Sequence, residues 1–474
     1  MNKNLLLTKV NEYIFDDKEL NLSIKNAQKI GSLLWFNNVG IYGLADIESE
    51  LCDLCYNSKK WHETIGYSPN ELFVVSEPYL TGGHTRLMER LSQYCENKPD
   101  LLITRMPHNT DVVARMETFF NKITGIYVSK NNYLMHVYRL VEKIQHYNKV
   151  VLNIHPDDIS AVISCGIAKK NNPKLKVFFV NHADHTFSFG QTIADLWFEL
   201  SEFGRRIDVL RNLKTEKSFL GIPLDIAIID NEKHLQTSGI SNGDLLVTAA
   251  AGFKYKPIRN ETITKIIHPI LDKYSKSKIY VIGVSKYRDY WWWATKLKYR
   301  SRIVLHSTLS YEEYLSLTNS AKGYIDSHPL PGGSAFAEQF FKGKFCIGLH
   351  SPVQGYTPIE VFKMRKFTGF HKCDNREFRR VLEMAIEVHS SDKVKERFLL
   401  ALDGTICKKN LCQSFIKWSG DEHFLENKHI ANIPNHLTLF DAPYGILLRF
   451  STSWAMVKFI TAKIVNQVKF LVGH

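Results

Sequence analysis

At 474 residues the chain is longer than one hydrophobic core usually fills, so two or more domains are expected, each with a sizeable core. Its 61 Lys+Arg exceed 48 Asp+Glu by 13, and the excess is spread along the whole length instead of forming a basic tail. That balance suits anionic partners such as nucleotide diphosphates, anionic lipid or nucleic acid without choosing among them.

The eight cysteines, at 52, 55, 95, 165, 346, 373, 407 and 412, have neither the spacing of a disulfide scaffold nor that of a complete zinc site. Cys52 and Cys55 form one Cys-x-x-Cys pair, and no second pair follows at a fitting distance. The opening MNKNLLLTKVNEYIF has too short an apolar run for a secretory leader, and no segment reaches the roughly 18 uninterrupted apolar residues of a spanning helix. A cytoplasmic protein is expected, peripheral to the inner membrane if it meets membrane at all.

In chain order, residues 1–70 lack strand signals and carry helix-like spacing, as in IESELCDLCYNSKKWHETI, so they read as a helical extension. From Glu71, short β-branched runs alternate with amphipathic stretches: LFVVSEP at 72–78, HTRLMERLSQYC, LLITRM at 101–106, GIYVS at 125–129, KVVLNI at 149–154 and KVFFVN at 176–181. After the turn-rich SGISNGD, a second series runs LLVTAAA at 245–251, ETITKIIHPILDKY, KIYVIGV at 278–284, RIVLH at 302–306, YEEYLSLTNSA, GYID at 323–326 and KFCIGL at 344–349. This alternation predicts two successive α/β domains, 71–237 and 238–440, with a hinge near 235–243 and a ligand cleft between them. Residues 441–474 are left for a last helix.

The most informative stretch is DSHPLPGGSAFAEQFFKGK at 326–344. Its Pro-Gly-Gly turn before an amphipathic helix leaves amide groups at the positive end of the helix dipole, where a diphosphate is held favourably. Glu338, one turn in, suits the hydroxyls of a sugar beside that phosphate. Gly252, Lys254 and Lys256 follow the strand that opens the second domain. Lysines there suit the same diphosphate, each charge-assisted contact contributing about 1.5–3 kcal/mol.

In the first domain, Gly82, Gly83, His84 and Thr85 lie at a strand-to-helix junction, where paired glycines bring backbone donors close to a phosphate or an acceptor sugar. Asn181-His182-Ala183-Asp184-His185 ends a strand at the edge where α/β proteins place their chemistry, and after Phe189-Gly190 the stretch TIADLWFELSEFG reads as a helix. A histidine near neutral pKa takes a proton from an attacking hydroxyl, and a neighbouring carboxylate orients it. His155-Pro156-Asp157-Asp158 is a weaker instance of the same kind, equally readable as a turn with a helix cap. The aromatic run Tyr287–Trp293 is expected mostly to pack inside, though such rings also stack a base or a sugar. Val457, Ile460, Ile464, Val468 and Leu471 share one helical face flanked by Lys458, Lys463 and Lys469, which suits a membrane interface or a helix packed across the domains equally.

Together these pieces resemble the two-domain GT-B glycosyltransferases over roughly residues 71–440, with the fold of two Rossmann-like domains facing across a cleft. Asp326, Pro329, Pro331, Gly332, Gly333, Ser334 and Glu338 look like that family's donor motif. The GGHTR and NHADHTFSFG segments look like those of bacterial surface-polysaccharide transferases, and the second is also similar to the O-linked N-acetylglucosaminyltransferase group. The resemblance implies that Gly332, Gly333, Ser334 and His328 hold the donor with Lys254 or Lys256, and that Glu338 holds the ribose. His182 or His185 would be the base, with Asp184 as its orienting partner. Retaining members often carry two glutamates eight positions apart, and Leu330 stands where the first would be, so an inverting transfer is favoured. The implied partners are a nucleotide-sugar donor, as in capsule or lipopolysaccharide synthesis, and a glycan, lipid-linked or protein hydroxyl acceptor. No obligatory metal and no cofactor beyond the donor are expected. A nucleotide-sugar 2-epimerase and a polyol-phosphate transferase share the fold and stand as alternatives. A nucleic-acid binder is disfavoured because no basic arm or RNA-binding signature is present.

Overall fold

The computed structural model describes the chain except residues 17–18, 62–66, 80–82, 108–110, 227–232, 308, 413–416, 438–443 and 473–474, with backbone alone for 311 and 466–472. Two parallel sheets organise it. The first holds β1 (Leu72–Val75), β2 (Asp100–Ile103), β3 (Ile123–Gly125), β4 (Lys149–Asn153), β5 (Lys176–Val180), β6 (Leu196–Glu199) and β7 (Glu216–Phe219). The second holds β8 (Leu245–Ala249), β9 (Lys278–Ile282), β10 (Ile303–His306), β11 (Gly323–Ile325), β12 (Phe345–Leu349) and β13 (Lys363–Met364).

The order β3-β2-β1-β4-β5-β6-β7 in the first sheet and β10-β9-β8-β11-β12-β13 in the second repeats one plan, with the chain reversing direction of growth beside the first strand. This is the doubly wound Rossmann arrangement, present twice. Because helices cover both faces, strands are apolar on both sides. In β1, Leu72 and Val74 enter one core while Phe73 and Val75 enter the other. Leu246 and Val247 divide in the same way between the two cores of the second sheet.

Three helices, Lys3–Phe15, Leu20–Phe36 and Ala45–Asn57, form the amino-terminal extension and pack on one face of the first sheet. Glu48 fixes the last of them, accepting from the amides of Gly190 (3.0 Å) and Thr192 (3.1 Å) and from the Thr192 hydroxyl (2.7 Å). The helix Ser391–Leu402, inside the stretch expected to be second domain, packs Val394, Phe398, Ala401 and Leu402 against the other face of the first sheet. Residues near the carboxyl end return to the amino-terminal helices through Ile430, Leu447, Phe450 and Phe459.

One expectation is overturned. TIADLWFELSEFG reads as helix, yet Leu196–Glu199 is a fully buried strand between β5 and β7, and the helix begins only at Glu202. Burial on both sheet faces removes the alternation that would have marked it, and tertiary pairing decides the outcome.

Candidate functional site

Asp184, in the loop after β5, accepts from the hydroxyl of Tyr356, in the loop after β12, at 3.0 Å. The amide of Glu202 donates to the carbonyl of Gly355 at 2.9 Å. Loops leaving the carboxyl ends of both sheets therefore meet, and the two switch points open toward one another.

On the second-sheet side, β11 runs into Asp326, whose carboxylate builds the turn. Its Oδ1 accepts from the amides of Ser327 (2.9 Å) and Gly332 (2.8 Å), and its Oδ2 pairs with Lys363 Nζ at 2.8 Å. Lys363 also meets Glu360 at 3.2 Å. Burial lowers the Lys363 pKa, and Asp326 and Glu360 together more than reverse that, so the ammonium is held charged. The expectation that the Gly332 amide grips phosphate is corrected here, because Asp326 already takes it.

The next two amides differ. Gly333 and Ser334 make no amide hydrogen bond among the described residues, and they open the helix Ser334–Phe341. Gly333 sits at φ +61°, and a Cβ there would meet nothing within 4 Å, so the backbone is left-handed and approachable. Lys254 Nζ donates to the Pro331 carbonyl at 2.9 Å, beside this turn. Its pKa is lowered by burial, with Asp326 and Asp184 pulling upward. Lys256 is exposed and has no side-chain partner among the described residues. His328 is buried, with Nε2 2.8 Å from Glu261, and lies behind the turn. Burial lowers its pKa and Glu261 opposes that. Glu338 is half-buried and pairs with Lys342 at 3.0 Å.

A cavity of about 300 Å³ opens at the carboxyl ends of β9 and β10, lined by Ser285, Lys286, Tyr287, Leu305, His306 and Ser307. The aromatic run beside it is not mostly packed inside: Trp292 is buried, but Tyr287, Tyr290 and Trp293 are exposed. From β11 to the midpoint of β9 and β10 is two to three strand spacings, or about 12 Å.

The first-sheet side is more crowded. After β1, Ser76 donates to Asp158 at 2.6 Å and accepts from the His155 amide at 2.8 Å; Thr104, after β2, donates to Asp158 at 2.5 Å. Asp157 holds His155 Nδ1 (2.6 Å) and Arg105 Nη2 (2.7 Å). Burial raises the Asp157 pKa, and Arg105 and His155 overcome that to hold the carboxyl well below its usual range. Trp35, from the amino-terminal extension, closes edge-on over His155 at 4.4 Å.

Within this frame His84 and His182 stack, ring centroids 5.2 Å apart at 25°. Asn153 Nδ2 donates to the His84 carbonyl at 3.0 Å. Burial lowers the pKa of His84 and, far more, of His182, and the neighbouring histidines add to the effect on His182. Both rings are therefore neutral imidazoles at pH 7. Thr85 is buried and receives the Tyr79 amide at 2.9 Å, while Gly83 opens its helix at the surface; Gly82 lies outside the described residues.

Asp184 has other partners than a histidine. Its oxygens are engaged by the hydroxyls of Ser201 and Tyr356, and the nearest imidazole, His185 Nδ1, is 3.6 Å away, too far for a hydrogen bond. Through Tyr356 it joins the loops of the two sheets. Two buried polar atoms near the stacked histidines, Asn153 Oδ1 and Asn181 Nδ2, have no hydrogen-bond partner among the described residues. Such atoms at strand ends are what a polar ligand satisfies. Sequence reading missed Trp35, Asn153, Arg105 and Tyr356; for Asn153 the signal was present, since it ends a strand beside the switch point.

No protein-family model matches the sequence, and the curated proteins yield no match. Solved structures do. Among them is Anabaena HepE in complex with UDP and glucose, at 12% identity and TM-score 0.44, covering 72% of this chain and 97% of that one. The O-GlcNAc transferase of Thermobaculum terrenum aligns at 11% identity and TM-score 0.46, covering 87% of this chain and 81% of its own. UDP-GlcNAc 2-epimerase from Methanocaldococcus jannaschii aligns at 14% and TM-score 0.40, covering 70% and 99%. Glycosyltransferases and a sugar-nucleotide epimerase thus stand among the solved structures similar to this chain. The doubly wound architecture and the site geometry rest on this chain's own strand order and contacts.

Among the described residues no group of three or more His, Cys, Asp or Glu side chains is arranged to hold a metal ion, and no helix is long and apolar enough to cross a membrane.

Proposed function

We propose that this chain is a glycosyltransferase that moves a sugar from a nucleotide diphosphate to a hydroxyl acceptor, with inversion. The observation that carries the reading is the pairing of two opposed switch points. One presents the ungripped Gly333 and Ser334 amides beside Lys254, and the other presents stacked neutral histidines with unsatisfied asparagine atoms.

In this reading the donor diphosphate lies against the Gly333 and Ser334 amides, with Lys254 as the cation and Glu338 on the ribose. The nucleoside extends toward the cavity at β9 and β10, a distance an extended nucleoside diphosphate spans. Gly83, His84 and Thr85 border the acceptor. His182 takes the proton as the acceptor oxygen forms its bond to the anomeric carbon, the bond from that carbon to phosphate oxygen breaks, and the nucleoside diphosphate leaves with the electron pair. Amides and Lys254 stabilise the charge that develops on the leaving group. His185, 41% exposed, is the second candidate base. The acceptor is a hydroxyl of a glycan, a lipid-linked carrier or a protein, as in surface-polysaccharide or related glycan assembly. Eight cysteines without a disulfide support a reducing, cytoplasmic setting.

A thermal-shift series with UDP-, GDP-, CDP- and dTDP-sugars tests this directly. A true donor at 100 times its dissociation constant adds about 2.7 kcal/mol. Absence of any shift with all four sinks the proposal. Interconversion of the bound sugar without an acceptor points to an epimerase, and a response to CDP-polyol alone points to a polyol-phosphate transferase.

A further inference from the structure

The helix Ser453–Val472 has two unlike faces. Ala455, Met456 and Phe459 are buried, and Met456 and Phe459 join the core beneath the amino-terminal helices together with Ile446, Leu447 and Phe450 of the preceding helix Tyr444–Phe450. On the opposite side Trp454 (66% exposed), Val457 (52%), Ile460, Ile464 (51%) and Val465 face solvent. At about 100° per residue these five positions fall within one side of the helix. Leu448, 66% exposed, extends the apolar surface onto the preceding helix.

Charge defines what fits there. From Tyr444 to His474 the sequence contains no Asp or Glu, while Arg449, Lys458, Lys463 and Lys469 are all basic. Lys458 Nζ lies 5.3 Å from the Trp454 ring centroid, at the shoulder of the apolar face. An indole and lysine stems at the border of an apolar stripe match the level of lipid headgroups, where stems bury and ammonium groups reach phosphate. A second copy of the chain on this face would bring the same cations against one another. No described helix is long and apolar enough to cross a bilayer, so the fit is to its surface.

We infer that this outer face docks the protein on an anionic lipid bilayer, with the helix lying in the interface plane. Flotation of the full chain with phosphatidylcholine vesicles, with and without phosphatidylglycerol, reads the interaction without nucleotide, so its outcome is independent of the donor assignment. The chain floats with the anionic vesicles, is released by salt, and stays largely free of the uncharged ones. Val457→Glu with Ile464→Glu lowers the partition roughly a hundredfold. Lys458→Gln lowers it about fivefold. Both substitutions touch solvent-facing positions, so an unchanged thermal midpoint accompanies them; if the double variant does not fold, Trp454→Ser takes its place. Equal binding to both vesicles, no binding to the anionic ones, or wild-type partition by the variants overturns the inference. So does a concentration-dependent dimer in ultracentrifugation that the same variants abolish.

Discussion

The two sheets share one strand order, yet their carboxyl edges are chemically opposite. At the first, the space beside β1 and β4 is filled by the chain itself: Asp158 gathers two hydroxyls, Asp157 pairs Arg105 with His155, and Trp35 closes from the amino-terminal extension. At the second, the corresponding position beside β8 and β11 ends in an open left-handed glycine and amides without partners among the described residues. Topology places a cluster of loops at each edge, and side chains determine which is open to negative charge. The filled edge is suited to hold uncharged imidazoles in fixed orientation, and the open edge to receive negative charge.

His182→Ala tests the first edge hardest. Turnover with donor and acceptor should fall by about 10²–10⁴-fold while nucleotide affinity stays put; a loss of only a few-fold would move the base elsewhere, with His185→Ala the next variant to measure.

The second edge depends on a buried ion pair, so Asp326→Ala is the next largest change. It leaves Lys363 without its main counter-charge and releases the Gly332 amide, and unfolding free energy in urea should fall by about 3–5 kcal/mol. An Asp326→Ala protein of normal stability would show that the carboxylate does not organise the turn.

Lys254→Ala separates the two lysines that the sequence leaves equivalent. Nucleotide affinity by calorimetry should weaken roughly 10–100-fold, following about 1.5–3 kcal/mol for a charge-assisted contact, whereas Lys256→Ala should be close to neutral. Glu338→Ala should weaken donor binding more than acceptor binding, and equal effects on both would remove it from the donor side.

Acid gives the mildest contrast. Burial, partly offset by a backbone hydrogen bond, pushes His234 and His389 down to about 4 from the ordinary 6.5. In the neutral form His234 accepts the Gln236 amide at Nδ1 (2.9 Å), a bond that protonation abolishes. Because the folded value is depressed, stability is fully present above about 6.5 and is lost as pH falls through about 4. The thermal midpoint should decline across that window, on the order of 1–3 kcal/mol for each buried ring, and His389→Asn should flatten the decline. His84 and His182 at the first edge and His328 at the second shift in the same direction, so both edges should loosen in acid and lose protection from hydrogen exchange.

Much of the fold was legible because its signals are local. Four first-domain strands and five second-domain strands announce themselves as short β-branched runs between amphipathic stretches, whereas GIYVS at 125–129 lies just past the strand Ile123–Gly125 and shares only Gly125 with it. Leu196–Glu199 does not, because Leu196, Trp197 and Phe198 are buried together and their run merges with the helix-like residues around it. At the second edge the Pro-Gly-Gly turn and its helix were readable as spacing, but which amides remain available was not. That depends on Asp326 reaching forward six residues to Gly332, a contact only the folded turn makes.

By itself the sequence determined the alternation of strand and helix, the two-domain α/β plan, the glycine turn at 332–333 and the lysine-bordered apolar stripe near the carboxyl end, all of which are periodicities or short motifs. Tertiary structure alone decided that Asp184 bonds Tyr356 across the domains, that Trp35 covers His155, that His84 stacks on His182, and that one face of the last helix is buried while the other meets solvent. The physical reason is range. Propensity and periodicity act within a few residues, whereas these contacts join positions up to 172 residues apart, and only closure of the chain around two sheets brings them within hydrogen-bonding distance.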